Sequence, residues 1–120
     1  MRVQVEELKG AALYWAVAKC KGIVVNICAD RSIVRYVDGK PIECIPTAED
    51  IEALITDERI SVVYEPSLVY GADQRWKAMY LTNDDECVRG PTPRVAILRC
   101  YVVKHLGVRI ELPGTLSVGY

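Results

Sequence analysis

Two stretches of the chain repeat their apolar positions at the helical period. In 11–21, Leu13, Ala16, Val17 and Cys20 fall at i, i+3, i+4 and i+7, one face of an amphipathic helix. Gly22 supplies the left-handed residue that ends it. The second stretch predicts a helix over 93–106 with both ends marked. Thr92 is a good N-cap, and Pro93 suits the first helical position, where a missing N–H costs nothing. Gly107 stops the helix, and Lys104 sets a positive charge near the negative end of its dipole. The apolar residues of this second helix surround it, broken by Arg94, Arg99, Lys104 and His105. A helix apolar all round must be covered on more than one side. Either the chain's own elements flank it, or its second face meets another subunit, making a homodimer or partner surface with Trp15 and nearby tyrosines. Arg99 lies only about 40° around the helix from Val95, and a guanidinium there needs a carboxylate or several carbonyl partners.

Between the helices the pattern changes to period two and to β-branched runs. Residues 2–5 alternate, and 23–28 reads as a short buried strand. Residues 32–37 and 40–45 flank Asp38-Gly39, a hairpin signal because a type I′ turn needs positive φ at both positions. Pro41 places the return strand at an edge. Thr47 and Asp50 make a capping-box pattern ahead of a short helix over 48–56, whose stripe is Ile51, Leu54 and Ile55. Strands follow at 60–65 and 74–82, the second with Trp76, Ala78 and Tyr80 on one face, and 66–73 reads as loop. Asn83-Asp84-Asp85-Glu86 reads as an acidic loop, and 108–112 alternates as a last strand. The expected architecture is a two-layer α+β fold: an N-terminal helix, an antiparallel meander with a short inserted helix, then a long helix and a short strand. Residues 1–113 form the single domain, and 114–120 a loosely held tail.

Composition narrows the chemistry. Of 120 residues about half are apolar, which excludes global disorder, and the net charge of −1 offers no bulk field to nucleic acid or anionic lipid. The charge is segregated: residues 1–46 hold seven basic and five acidic groups, 47–93 four and ten, 94–120 four and one. The five cysteines are odd in number and lack CxxC spacing, so they read as reduced thiols rather than a disulfide framework or zinc site. The N-terminus lacks a signal-peptide core and no apolar run approaches spanning length, so a soluble, cytosolic protein without a membrane partner is expected. His105 is the only histidine, and Cys100 lies about 140° from it around the helix, so the two cannot act as a catalytic pair. The acidic run lacks the alternating ligands and glycine of a calcium loop. No metal, cofactor or enzymatic activity is expected.

Two blocks carry a family resemblance. Leu13-Tyr14-Trp15-Ala16-Val17-Ala18-Lys19-Cys20 resembles the "LdWAVAk" opening of the NinX family of lambdoid-type bacteriophages and prophages. Gly90-Pro91-Thr92-Pro93, continuing through Arg99-Cys100-Tyr101-Val102 to Leu106-Gly107, resembles its closing "GPTPxxAxxRCYVxxxLG". Trp76-Lys77-Ala78 is similar to an internal "WxA" strand, and Leu112-Pro113 to the strand after the helix. Tyr14 replaces an acidic residue, and Val103-Lys104-His105 a smaller, more polar turn. The resemblance implies a phage or prophage source and expression in the host bacterial cytoplasm; it carries over no enzymatic activity. The expected function is a non-enzymatic accessory module that binds a host or phage protein, with Trp15, Trp76, Arg94, Arg99 and Tyr101 as interface candidates. The alternative is nucleic-acid binding through a helix–sheet–helix outline like that of double-stranded-RNA-binding domains. Only Arg89 and Arg94 stand where such domains hold a lysine cluster, so nucleic acid is the less expected partner.

Overall fold

The computed structural model describes residues 2–66, 71, 74–81 and 83–116. Its elements run β1 (Arg2–Gln4), a 3-10 turn (Val5–Glu7), α1 (Gly10–Cys20), β2 (Asn26–Ile27), β3 (Ile33–Val37), β4 (Lys40–Glu43) and α2 (Ala48–Asp57). There follow β5 (Ile60–Tyr64), β6 (Trp76–Tyr80), β7 (Asn83–Gly90), α3 (Pro93–Leu106), β8 (Arg109–Glu111) and a 3-10 turn (Gly114–Leu116). The fold is α+β. The meander is divided into two antiparallel three-stranded sheets, β2-β3-β4 and β5-β6-β7, with α2 between them in sequence, and β8 pairs with β1.

Helix α3 is the centre of the molecule. The sheet β5-β6-β7 packs against it, as do α1, α2 and the turn after β1. Seven consecutive residues, Ala96 to Val102, are buried, so the all-round apolar surface is covered within the chain itself. The helix has the expected bounds. Thr92 Oγ1 accepts the Val95 N–H at 3.1 Å, and Gly107, at φ 94°, donates its N–H to the Val103 carbonyl at 2.9 Å. The capping box of α2 is also formed: Thr47 Oγ1 accepts the Asp50 N–H at 3.2 Å, and Asp50 Oδ2 accepts the Thr47 N–H at 2.8 Å. Helix α1 closes with paired bonds, Gly22 N–H to Lys19 O at 3.1 Å and Ile23 N–H to Ala18 O at 2.9 Å, around a Gly22 at φ 71°.

Three segments differ from their sequence patterns. In 23–28 only Asn26–Ile27 forms strand, and exposure alternates: Val24 is 86% exposed while Ile23, Val25 and Ile27 are half-buried, so the run is covered on one face instead of buried on both. The acidic stretch 83–86 is the first half of β7, not a loop. The chain turns back directly after Tyr80, so backbone pairing (Tyr80 opposite Asn83) takes in residues of low strand propensity. The mismatch is absorbed by a register shift: between the pairs Ala78–Val88 and Tyr80–Asn83, β6 has one residue and β7 four. At the C-terminus, Gly114–Leu116 forms a turn whose Leu116 is fully buried, with its carbonyl 3.5 Å from Arg31 Nη2. The tail residues 117–120 and most of the 66–73 loop lie outside the described residues.

The junction between β7 and α3 is the tightest point of the fold. A Cβ on Gly90 would stand 2.8 Å from the Ala96 nitrogen and 3.1 Å from its Cα, both backbone atoms that cannot move aside. Gly90 opposes Trp76 on β6, so this contact sets how closely the helix start sits on the sheet. Beside it, Glu65 at the end of β5 clamps the sheet's outer face, receiving Lys77 Nζ at 2.9 Å and Arg89 Nη2 at 3.0 Å. Lys77 and Arg89 are directly opposed like charges, which repel unless an anion bridges them.

Gly90→Ala is expected to lower stability by about 1–3 kcal/mol through overpacking, read by urea unfolding. Gly114→Ala, where a Cβ meets nothing within 4 Å, is the matched control and should change little. A pH dependence follows from Glu65, whose carboxyl is held below its ordinary range by the hydrogen bonds from Lys77 and Arg89. Its contribution is fully present above the ordinary glutamate value, about 4.3, and is lost as pH falls through the lower folded value. Glu65→Gln should therefore be less stable than the parent at neutral pH, with the difference shrinking on acidification. A constant difference across that titration would contradict the linkage.

Candidate functional site

Apolar surface left uncovered collects on the small sheet. The Asp38-Gly39 turn, with φ of 51° and 77°, folds β4 back on β3 and holds Tyr36 opposite Pro41 and Arg35 opposite Ile42. Ile33 and Val34 at the start of β3 are buried, but residues 35–43 of the hairpin are all exposed. Tyr36 is 59% exposed, Ile42 44% and Ile45 44%. Under the hairpin, a cleft of about 250 Å³ opens between it and α1; Tyr14, Val17 and Ala18 line one side, Arg35, Ile42 and Cys44 the other. Pro46, Thr47 and Asp50 complete the lining where the chain enters α2. The Asp50 carboxyl is held below its ordinary range, first by the Thr47 N–H, with Lys21 and Arg94 adding attraction.

The structure disperses the five sequence candidates instead of gathering them. Arg94 reaches from the first turn of α3 to the Pro46 carbonyl, and its guanidinium stands 6.0 Å from the centroid of the Tyr14 ring. It thus ties two lining residues of the cleft to the central helix. Arg99 is 4% exposed; its Nε donates to the Leu8 carbonyl at 2.8 Å and its Nη1 to the Arg89 carbonyl at 2.9 Å. Tyr101 is buried, its ring centroid 4.6 Å from that of His105, and burial raises the pKa of its phenol. Arg99 and Tyr101 therefore offer no surface to a partner in the folded chain. They were conspicuous in the sequence because a polar head stood within an apolar helix, and that signal reports packing here. Trp76 is half-buried, edge-on to Tyr64 at 5.0 Å. Trp15, also half-buried, lines a separate depression and carries Lys19 Nζ over its ring at 5.0 Å.

The hairpin lies outside the five sequence candidates. Apolar residues at 36, 37, 42 and 45 flank its turn in the sequence, and the fold leaves all four exposed.

The ionisable groups show how reactive side chains are disposed. Burial pushes the Cys20 thiol up to about 11, opposite to the shift that activates a thiolate. Cys100 is buried, whereas His105 is exposed and stands 3.3 Å from Glu58 Oε1. Among the described residues, no group of three His, Cys, Asp or Glu side chains could hold a metal ion, and no helix is long and apolar enough to cross a membrane.

Arg99→Leu should cost about 2–4 kcal/mol, since the Leu8 and Arg89 carbonyls would remain buried without that donor. Arg99→Lys should recover only part of it, because a single ammonium cannot reproduce the fork. Equal stability of parent and Arg99→Leu in urea would refute this role.

Comparison with known proteins agrees with the two blocks read in the sequence. The family described as Bacteriophage P22, NinX matches over residues 4–105, from the end of β1 to the last turn of α3. No match was found among curated proteins. The matched span takes in Trp15, the exposed hairpin, Trp76, the close approach at Gly90 and Arg99. The chain belongs to the bacteriophage P22 NinX family.

Proposed function

We propose that this protein is a small non-enzymatic phage or prophage module that works in the host bacterial cytoplasm and binds a host or phage protein through the β3–β4 hairpin. The observation that carries this reading is the clustering of exposed apolar side chains. Of ten large apolar residues that are exposed among the described ones, five (Val24, Tyr36, Val37, Ile42 and Ile45) fall within one 22-residue stretch. Scattered exposed apolar residues are ordinary on a monomer, but a cluster distributed over both faces of one hairpin, with Ile42 and Ile45 at the cleft, supports a role in interaction. The edge itself favours side-chain contact over strand addition, because Pro41 removes a backbone donor from β4. Ile42, on the cleft face with Arg35, and Tyr36, on the opposite face with Pro41, would meet a partner that grips the hairpin from both sides, and the cleft would receive an apolar side chain of that partner.

The geometry favours this over double-stranded nucleic acid. Arg89 is engaged by Glu65 and by the Gln74 carbonyl at 3.3 Å, and Arg94 by the Pro46 carbonyl. Both cations expected to meet phosphate at the start of α3 are thus held by the protein itself. A second copy of the chain is the remaining occupant to separate from a foreign protein, and α3 no longer supplies a reason for one, being covered within the chain.

Photo-crosslinking tests the reading. A photoreactive residue at position 36 or 42 in infected bacteria should give a discrete heterologous product, absent when the probe stands at the exposed Glu52 of α2. The Tyr36→Ser/Ile42→Ser double variant should keep its unfolding midpoint and lose a partner captured from position 45. The same products from all positions, or only self-crosslinks, would overturn it.

A further inference from the structure

We infer that the depression beside Trp15 is a nucleotide-binding site, taking a nucleobase against the indole and its phosphate among Arg2, Lys19 and Arg109. The site is separate from the hairpin and arises from the charge segregation of the sequence. Residues 1–46 and 94–120 are the two basic segments, and the pairing of β1 with β8 joins them. Arg2 stands opposite Glu111 and Gln4 opposite Arg109, so Arg2 and Arg109 are diagonal neighbours across the two-stranded ladder. Helix α1 adds Trp15 and Lys19, one turn apart on the same flank.

These side chains line an open depression of about 280 Å³, with Leu106 and Ile110 as the further apolar members and Glu111 as the one carboxylate. The volume suits one flat ring system. The indole is the stacking platform, and such stacking tolerates any base because every base presents a π-face. In the free protein the ammonium of Lys19 lies over that ring at 5.0 Å, a cation–π contact at an exposed site. An entering base displaces the ammonium, whose flexible stem carries it to the phosphate, beside the two arginines. Glu111, whose carboxyl is held below its ordinary range by a hydrogen bond from the N-terminal ammonium and by attraction to Arg2, keeps those partners at the rim. A net positive rim around an aromatic wall selects a ligand that is both planar and anionic; an acidic peptide satisfies the charge but leaves the indole without a ring to stack on. The earlier expectation against nucleic acid rested on whole-chain charge and on the start of α3, and this site depends on neither.

The chemistry is the same for a free nucleotide and for one unit of a single strand, and the experiment separates them. The full chain with Trp76→Phe keeps Trp15 as its one tryptophan. Its fluorescence is titrated at low salt with adenosine monophosphate and, separately, with an oligodeoxyadenylate. Saturable quenching by both assigns the free nucleotide; quenching by the oligomer alone assigns a single strand. In the single-strand case the one neutralised phosphate gives a log–log salt slope of about −0.7. Arg2→Gln/Arg109→Gln, substitutions at exposed residues checked by circular dichroism, should weaken binding at least about tenfold. In Trp15→Phe the remaining Trp76 should stay unquenched. The proposal is overturned by no quenching with either probe, by equal affinity in the charge variant, by quenching of Trp76 instead, or by polyglutamate competing as well as the oligomer.

Discussion

The rest of the structure hangs on how one helix is covered. Burying a helix on every side demands partners all round it, and in α3 the demand includes a guanidinium. Arg99 meets it by bonding the carbonyls of Leu8 and Arg89, which belong to segments more than eighty residues apart in one case and ten in the other. A single buried side chain thereby connects the N-terminal turn, the central helix and the last strand of the main sheet. Burying the charge would be costly without these acceptors. With them, it fixes the relative position of three elements that apolar packing alone would leave freer to slide. Gly90 acts at the neighbouring end of the same strand, where the absence of a side chain lets the helix start rest against β7.

Local signals were legible wherever the answer depended on nearby residues. The caps of α3 and α2, the left-handed ends at Gly22 and Gly107 and the hairpin at Asp38-Gly39 each involve atoms within a few positions of one another, so their residue types disclose them. What stayed hidden depends on distant chain. The sequence around 23–28 is apolar enough for a buried strand, but whether anything covers Val24 is decided by where α1 and the hairpin end. The acidic stretch 83–86 belongs to β7, entering it through the pairing of Asn83 with Tyr80 and the irregular register that follows, a tertiary effect that propensity does not disclose. Leu116 is buried near Arg31, from which it stands 85 positions along the chain.

The candidate residues show the same division. Arg94, Arg99 and Tyr101 were conspicuous because polar atoms interrupted an apolar helix, a pattern shared by structural staples and binding anchors. Only the partners distinguish them, and those partners are Pro46, Leu8, Arg89 and His105 of the same chain. The hairpin drew no attention because each of its apolar residues is ordinary alone; the unusual feature is that the fold leaves them uncovered together.

Charge follows a consistent logic across both surfaces. Around the start of α3 the cations are engaged by the protein: Glu65 pairs with Arg89 and Lys77, and the Pro46 carbonyl accepts a hydrogen bond from Arg94. At the paired chain ends, Arg2, Lys19 and Arg109 gather with Glu111 as the carboxylate among the residues lining that depression. The apolar hairpin is therefore suited to a partner that supplies matching apolar surface, where desolvation drives association. The Trp15 depression is suited to a ligand that brings its own negative charge, where attraction weakens as salt rises. Because the two surfaces draw on different forces, raising the ionic strength should separate their contributions in one and the same chain.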